Sequence, residues 1–139
     1  MAIPRWVIDT NVLVSAALSE GGPCDQIIRA AVDGQIRLAW SSPMLAEYKA
    51  ILSRPKFKFS PWVVTSLLTV FGPNDQVSVW SAVALPDPAD EIFLATAMAT
   101  PDKVLITGNR VHFPAELCAP VNILTPAQGL QRLAGLKGV

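Results

Sequence analysis

The most constraining feature of the sequence is an apolar segment near the N-terminus that stops at a carboxylate. Residues Arg5 to Asp9 have the length and composition of a buried strand, and an apolar, helix-compatible segment follows at once. Asn11 is a suitable N-cap for that segment, because its side chain can accept an unpaired backbone N–H. Open α/β sheets bind their ligands at the carboxyl ends of central strands. Asp9 is therefore the first candidate functional residue.

Strand-like and helix-like segments alternate along the rest of the chain. Further strands are predicted at 36–40, 77–80, 104–107 and 122–124. Helices are predicted at 27–33, 42–53, 61–71, 90–99 and 126–133, whereas the prolines of segment 85–88 exclude a helix there. This order predicts one α/β domain over residues 1–139, a three-layer sandwich with a mainly parallel central sheet flanked by helices.

Composition narrows the class of protein further. Of 139 residues, 51% are hydrophobic and 16% are charged, which excludes a disordered chain. Eleven basic residues balance eleven acidic ones, so any nucleic-acid contact must come from a local patch. The sequence has no signal-peptide pattern and no membrane-spanning apolar run, and its two cysteines lie far apart. We expect a cytoplasmic protein with reduced thiols and no membrane partner.

Acidic and amide side chains come from segments that the predicted sheet brings together. Asp9 and Asn109 directly follow strands, and these strands end at one edge of a parallel sheet. Glu47 lies on the border of the apolar stripe of its helix, and Asp90 and Glu91 open another helix. The sequence therefore predicts an acidic cluster assembled from separate segments.

Such a cluster has a definite chemistry. Neighbouring carboxylates raise one another's pKa unless a cation neutralises them. Oxygen ligands select hard ions such as Mg²⁺ or Mn²⁺, and His112, the only histidine, cannot form a multi-histidine site. A divalent ion held in this way polarises phosphoryl oxygens and activates water. The cluster thus indicates metal-dependent phosphoryl chemistry.

The same residues also have structural explanations. Asp9 could cap the following segment, although Thr10 and Asn11 could do so too. Asp90 and Glu91 suit a helix N-terminus, where capping and the helix dipole favour acids. Asp87, between two prolines, suits a turn, and Glu47 suits an exposed helix face. His112 is interpreted as a loop or partly buried residue.

A short basic segment alternates cations with aromatic residues. Arg54, Lys56 and Lys58 are interleaved with Phe57 and Phe59. Such a pattern can bind phosphates and stack bases. The pattern is more often that of a solvated loop whose phenylalanines pack on the core.

Five segments stand out in order along the chain: VIDTNVLVSA (7–16), SPMLAEY (42–48), RPKF (54–57), DPADEIFLA (87–95) and VLITGNR (104–110). In this order and spacing they resemble the PIN domain family, in particular the small prokaryotic PIN proteins described as toxins of toxin–antitoxin pairs.

The resemblance implies a PIN-type sandwich and a Mg²⁺- or Mn²⁺-dependent ribonuclease site. The family's first acid falls on Asp9, its second on Glu47, and its third on Asp90 or Glu91. The fourth acidic position falls on Asn109, which carries an acceptor oxygen but no charge. A weaker affinity for metal is therefore expected, most of all at a second ion site.

The leading hypothesis is a toxin-like endoribonuclease, and the alternative is a degenerate PIN module that binds RNA or a protein without efficient cleavage. A phosphotransferase with Asp9 as phospho-acceptor is disfavoured, because the sequence lacks a second acid next to it. The resemblance also suggests a homodimer and a small antitoxin partner. The residues predicted to bind the metal and to catalyse cleavage are Asp9, Glu47, Asp90 and Glu91. The residues predicted to support this site are Asn11, Asp87, Thr107 and Asn109. The residues predicted to bind RNA are Arg54, Lys56, Lys58 and Arg110.

Overall fold

The computed structural model describes residues 3–79 and 83–137, except for the side chain of Lys137. Over these residues the chain forms four β-strands and seven α-helices. The strands are β1 (Arg5–Ile8), β2 (Arg37–Leu38), β3 (Val104–Ile106) and β4 (Asn122–Leu124). The helices are α1 (Thr10–Leu18), α2 (Pro23–Val32), α3 (Ser42–Leu52), α4 (Pro61–Leu68), α5 (Glu91–Met98), α6 (Ala115–Cys118) and α7 (Pro126–Lys137).

The four strands form one parallel sheet in the order β2-β1-β3-β4. Val7 of β1 pairs with Leu105 of β3, and both side chains are fully buried. Strands covered on both faces are apolar, as β3 and residues 6–8 of β1 are. The prediction of an α/β sandwich around a parallel sheet is therefore confirmed. Because all strands run the same way, their carboxyl ends share one edge.

Helices pack around this sheet in two groups. Helix α2 contacts both α1 and α7, and α7 also contacts β4. Helix α5 contacts β1 and β3, and α3 packs on α5. Tyr48 of α3 stacks on Phe71 and contacts Phe93 of α5, so an aromatic cluster joins these helices. None of the helices in the described ranges is long and apolar enough to span a bilayer.

Some predicted boundaries are wrong. Helix α4 ends at Leu68 rather than 71, and at its end the Thr69 hydroxyl donates to the Ser66 carbonyl, a side-chain bond that competes with the helix. Residues 77–79 form no strand, because the pairing there is limited to one bridge between Trp40 and Gln76. Trp80, the end of that predicted strand, lies outside the described residues. Helix α6 was not predicted, since four residues are too few for a periodic pattern.

Candidate active site

Asp9 is placed by the last pairing of β1 and held by its neighbours. Its backbone N–H donates to the Ile106 carbonyl (2.9 Å), which extends the ladder to the sheet edge. Its Oδ1 accepts from the Thr10 N–H (2.7 Å), and Oδ2 accepts from Asn11 Nδ2 (3.0 Å) and Thr107 Oγ1 (2.9 Å). Asp9 is therefore the N-cap of α1, and the prediction that Asn11 caps this helix is wrong.

Burial and hydrogen bonding act on Asp9 in opposite directions. The residue is only 6% exposed, and burial raises the pKa of its carboxyl. The hydrogen bonds from Thr107, Thr10 and Asn11 and the nearby His112 lower this pKa, but burial is the larger effect. The carboxylate is well oriented, yet its negative charge lacks full compensation.

Glu47 reaches the same region because α3 is fixed at both its start and its middle. The hydroxyls of Ser41, the N-cap residue, and Thr96 of α5 are 2.8 Å apart and hydrogen-bonded. About two turns further on, the buried Tyr48 hydroxyl donates to the Ile8 carbonyl. The residue next to this contact is the half-buried Glu47, which consequently lies beside the carboxyl end of β1.

Asp90 comes from the turn that precedes α5. The Asp87 carboxylate accepts from the Ala89 N–H (3.0 Å) and so fixes this turn, which spans Pro88–Asp90. Asp90 is 8% exposed, and its pKa is raised to about 6 by burial first and by the charge of Asp9 second. His112 partly opposes this rise.

Glu91, the other candidate for the third acid, has a different environment. Its Oε2 accepts from the Leu85 N–H (3.0 Å), so the side chain holds the preceding linker. Consecutive residues of a helix point about 100° apart, so the carboxylate of Glu91 points away from that of Asp90. The structure therefore brings Asp90, rather than Glu91, next to Asp9.

A cleft of about 310 Å³ joins the acidic residues of these elements. Carboxylates from the end of β1, from α3 and from the turn before α5 face one space. Among its described lining residues are Asp9, Glu47, Asp90, Asn11, Phe57 and His112. Two of its three carboxylates are buried and have raised pKa values, a charge arrangement that a divalent cation would stabilise.

A family model described as "PIN domain" matches residues 5–111. The chain belongs to the PIN domain family. This match includes all three carboxylates of the cleft and assigns the chain a nuclease-type fold whose members use divalent metals and bind RNA. No curated protein and no solved structure gives a significant match to the chain.

The loop after β3 contributes no carboxylate to the described lining of the cleft. Asn109 is exposed and is absent from the described lining of the cleft. Its backbone N–H donates to Thr107 Oγ1 (3.0 Å), and the N–H of Gly108 donates to Asn11 Oδ1 (3.0 Å). The loop thus orients Thr107 and Asn11, which in turn hold Asp9, without adding a charge.

His112 lines the cleft of this PIN domain, and the sequence did not predict this position. Its Nδ1 is 3.1 Å from Asp90 Oδ2, and Asp87, Asp90 and His112 offer ligand atoms within 4.8 Å of one another. The available signal was position: a residue in the loop after a central parallel strand can return to the same sheet edge as Asp9. A solitary histidine has no spacing pattern that would have indicated this.

The basic residues predicted to contact RNA lie on two loops. Arg54, Lys56 and Lys58 are exposed, while Phe57 between them is half-buried and lines the cleft. The rings of Phe57 and Phe59 stack with centroids 5.6 Å apart, and Lys56 Nζ lies 5.0 Å from the Phe57 centroid. In the other loop, Arg110 donates to Gln128 Oε1 of α7 (3.1 Å).

Proposed function

We propose that this PIN domain is a metal-dependent endoribonuclease that hydrolyses phosphodiester bonds of single-stranded RNA. The observation that carries the proposal is the convergence of Asp9, Glu47 and Asp90 on one cleft. Burying like charges together is unfavourable without a cation, and oxygen ligands favour Mg²⁺ or Mn²⁺. The family match supports nuclease chemistry for the same residues.

In the proposed mechanism, Asp9, Glu47 and Asp90 hold the divalent ion. Such an ion, when bound, polarises a phosphoryl oxygen and lowers the pKa of a coordinated water. Thr107 and Asn11 keep Asp9 Oδ2 in a fixed orientation, and this preorganisation avoids a reorganisation cost during the reaction. Glu91 and Asp87 support the site by fixing the linker and the turn that carry Asp90.

Substrate binding in this proposal uses the segment beside the cleft. Arg54, Lys56 and Lys58 would neutralise phosphates, and the Phe57 ring would stack on an unpaired base. Arg110 would contact the backbone from the loop after β3. Because the whole chain has no net charge, this local patch must supply the electrostatic attraction.

Three finer parts of the proposal rest on the resemblance to small prokaryotic PIN proteins. These are a toxin role, a small antitoxin that covers the acidic cleft, and assembly into a homodimer in the cytoplasm. A neighbouring small reading frame for a DNA-binding protein would support the first two. Sedimentation of the purified protein would test the third.

The central test is RNA cleavage with Mn²⁺ by the wild type and by Asp9→Asn. The asparagine can still accept the Thr10 N–H, so helix α1 keeps its cap while the site loses a charge. We expect cleavage to fall by about 100-fold or more, since a metal ligand is lost. Asp33→Asn, at an exposed aspartate after α2, is the matched control. Equal cleavage by wild type and Asp9→Asn would contradict the proposal.

A second candidate function is a degenerate PIN module that binds RNA or a partner without efficient cleavage. The exposed, uncharged Asn109 favours it. Asn109→Asp restores an acid at the position where the family usually has one. A large gain in Mn²⁺ affinity and cleavage would support the degenerate module, and unchanged cleavage by an already active wild type would exclude it.

A further inference from the structure

We propose that His112 binds the divalent metal through Nδ1 beside Asp90, and so supplies the ligand that Asn109 lacks. The proposal rests on the metal-dependent function above. It assigns to this chain a mixed nitrogen and oxygen ligand set in place of carboxylates alone. The predicted consequence is a preference for Mn²⁺ over Mg²⁺.

The first support is the distance between the two donor atoms. His112 Nδ1 and Asp90 Oδ2 are 3.1 Å apart. Two ligands at right angles around one ion, each about 2.1 Å from it, are about 3.0 Å apart. This separation suits two ligands of one cation, and Asp87 offers a third oxygen nearby.

The second support is the absence of a well-aligned hydrogen bond between these atoms. Asp90 Oδ2 is buried and, among the described groups, has no partner with hydrogen-bond geometry, although His112 Nδ1 is close. Asp90 is only 8% exposed. A buried carboxylate oxygen without a hydrogen-bond partner is energetically costly. A cation between the two donors would satisfy both.

The third support is the way in which the loop presents the histidine. The N–H of His112 donates to the Asn109 carbonyl (3.2 Å), and the N–H of Phe113 donates to the Arg110 carbonyl (3.0 Å). Phe113 is 2% exposed and anchors the turn in the core. The turn thus carries the exposed Asn109 away and delivers His112, three residues later, to the cleft.

A nitrogen ligand changes the selectivity of the site. Imidazole favours transition metals, whereas Mg²⁺ prefers oxygen ligands alone. Asp9, Glu47 and Asp90 without His112 would bind both ions by charge. With His112 the gain is expected mainly for Mn²⁺, so the ratio of the two affinities reports the nitrogen ligand.

The test is pulsed electron paramagnetic resonance of Mn²⁺ bound to the full-length protein, with any histidine tag removed. Because His112 is the only histidine, an imidazole nitrogen coupling to Mn²⁺ identifies it directly. We expect this coupling in the wild type and its loss in His112→Ala. Val111→Ala, at an exposed residue of the same turn, is the matched control and should keep the coupling.

Calorimetric titrations of the same proteins provide the second readout. We expect His112→Ala to weaken Mn²⁺ binding by about 10-fold or more and Mg²⁺ binding by clearly less. Mn²⁺ binding without nitrogen coupling in the wild type would overturn the ligand proposal and leave the proposed function intact. No Mn²⁺ binding by the wild type would overturn both.

Discussion

At the scale of single residues, the cleft is governed by two buried carboxylates with different neighbours. Asp9 accepts three hydrogen bonds, whereas Asp90 Oδ2 has only the poorly aligned His112 beside it. Burial raises the pKa of both carboxyls, and the charge of Asp9 raises that of Asp90 further. In the metal-free protein, the ionised form of Asp90 is therefore less favourable than the ionised form of Asp9.

This difference predicts a pH-dependent contribution of Asp90 to stability. Its pKa is about 6 in the folded protein against 3.8 for an ordinary aspartate, so the folded state binds more protons between these pH values. Stability therefore falls as pH rises through that window and levels off above it. We expect Asp90→Asn to remove this loss and to stabilise the metal-free protein at pH 7.5 by about 1–2 kcal/mol. The full shift would correspond to about 3 kcal/mol, and water in the open cleft reduces it.

Urea unfolding in a chelator at pH 4.5 and pH 7.5 measures this effect. The quantity of interest is the difference between wild type and Asp90→Asn at each pH, because it cancels the titration of the groups that do not interact with Asp90. Asp33→Asn is the control. A difference that does not grow towards pH 7.5 would contradict the prediction, and added Mn²⁺ should stabilise the wild type more than Asp90→Asn.

At the scale of elements, the contact of α7 with the sheet depends on a missing side chain. A Cβ at Gly129 would lie 2.9 Å from Ile106 Cδ1, 3.3 Å from Ile27 Cδ1 and 3.5 Å from Trp6 Cζ3. All three of these side chains are fully or almost fully buried. Helix α7 therefore lies closer to β1, β3 and α2 than alanine would allow without movement.

Two glycines of α7 offer a matched comparison. A Cβ at Gly135 would meet nothing within 4 Å, so Gly135→Ala should stabilise the protein by about 0.5–1 kcal/mol through helix propensity. Gly129→Ala gains the same propensity but overpacks the core, at a cost of about 1–3 kcal/mol. We expect Gly129→Ala to be less stable than Gly135→Ala by at least about 1 kcal/mol in urea unfolding. Equal stability of the two variants would show that α7 is not held this closely.

At the scale of the whole molecule, the parallel topology explains how distant residues form one site. Asp9, Glu47 and Asp90 are far apart in sequence, but the elements that carry them meet at the carboxyl edge of β1 and β3. Charges are also distributed unevenly. Arg5 and Arg37, at the other end of the sheet, both contact Asp75 (3.3 and 2.8 Å), whereas no described carboxylate lies within 4.0 Å of Arg54, Lys56 or Lys58.

The fold was predictable because its signals are local. Parallel strands buried on both faces appear as short apolar runs, and β3 was predicted in this way. The details of the site depend on loop geometry instead. Whether Asp90 or Glu91 faces the cleft follows from the bond between Glu91 and the Leu85 N–H, and the position of His112 follows from one turn. Neither contact leaves a periodic pattern in the sequence.

Asp9 both caps helix α1 and lines the cleft, so a substitution at this position can affect the fold and the site separately. Replacement by asparagine would keep the helix cap and remove the charge, so a lineage could abandon catalysis here without losing its fold. Replacement by alanine would remove both, at a further cost of about 1 kcal/mol for the cap. Under the proposed nuclease function, relatives that lack cleavage are therefore expected to carry asparagine at this position more often than a small apolar residue.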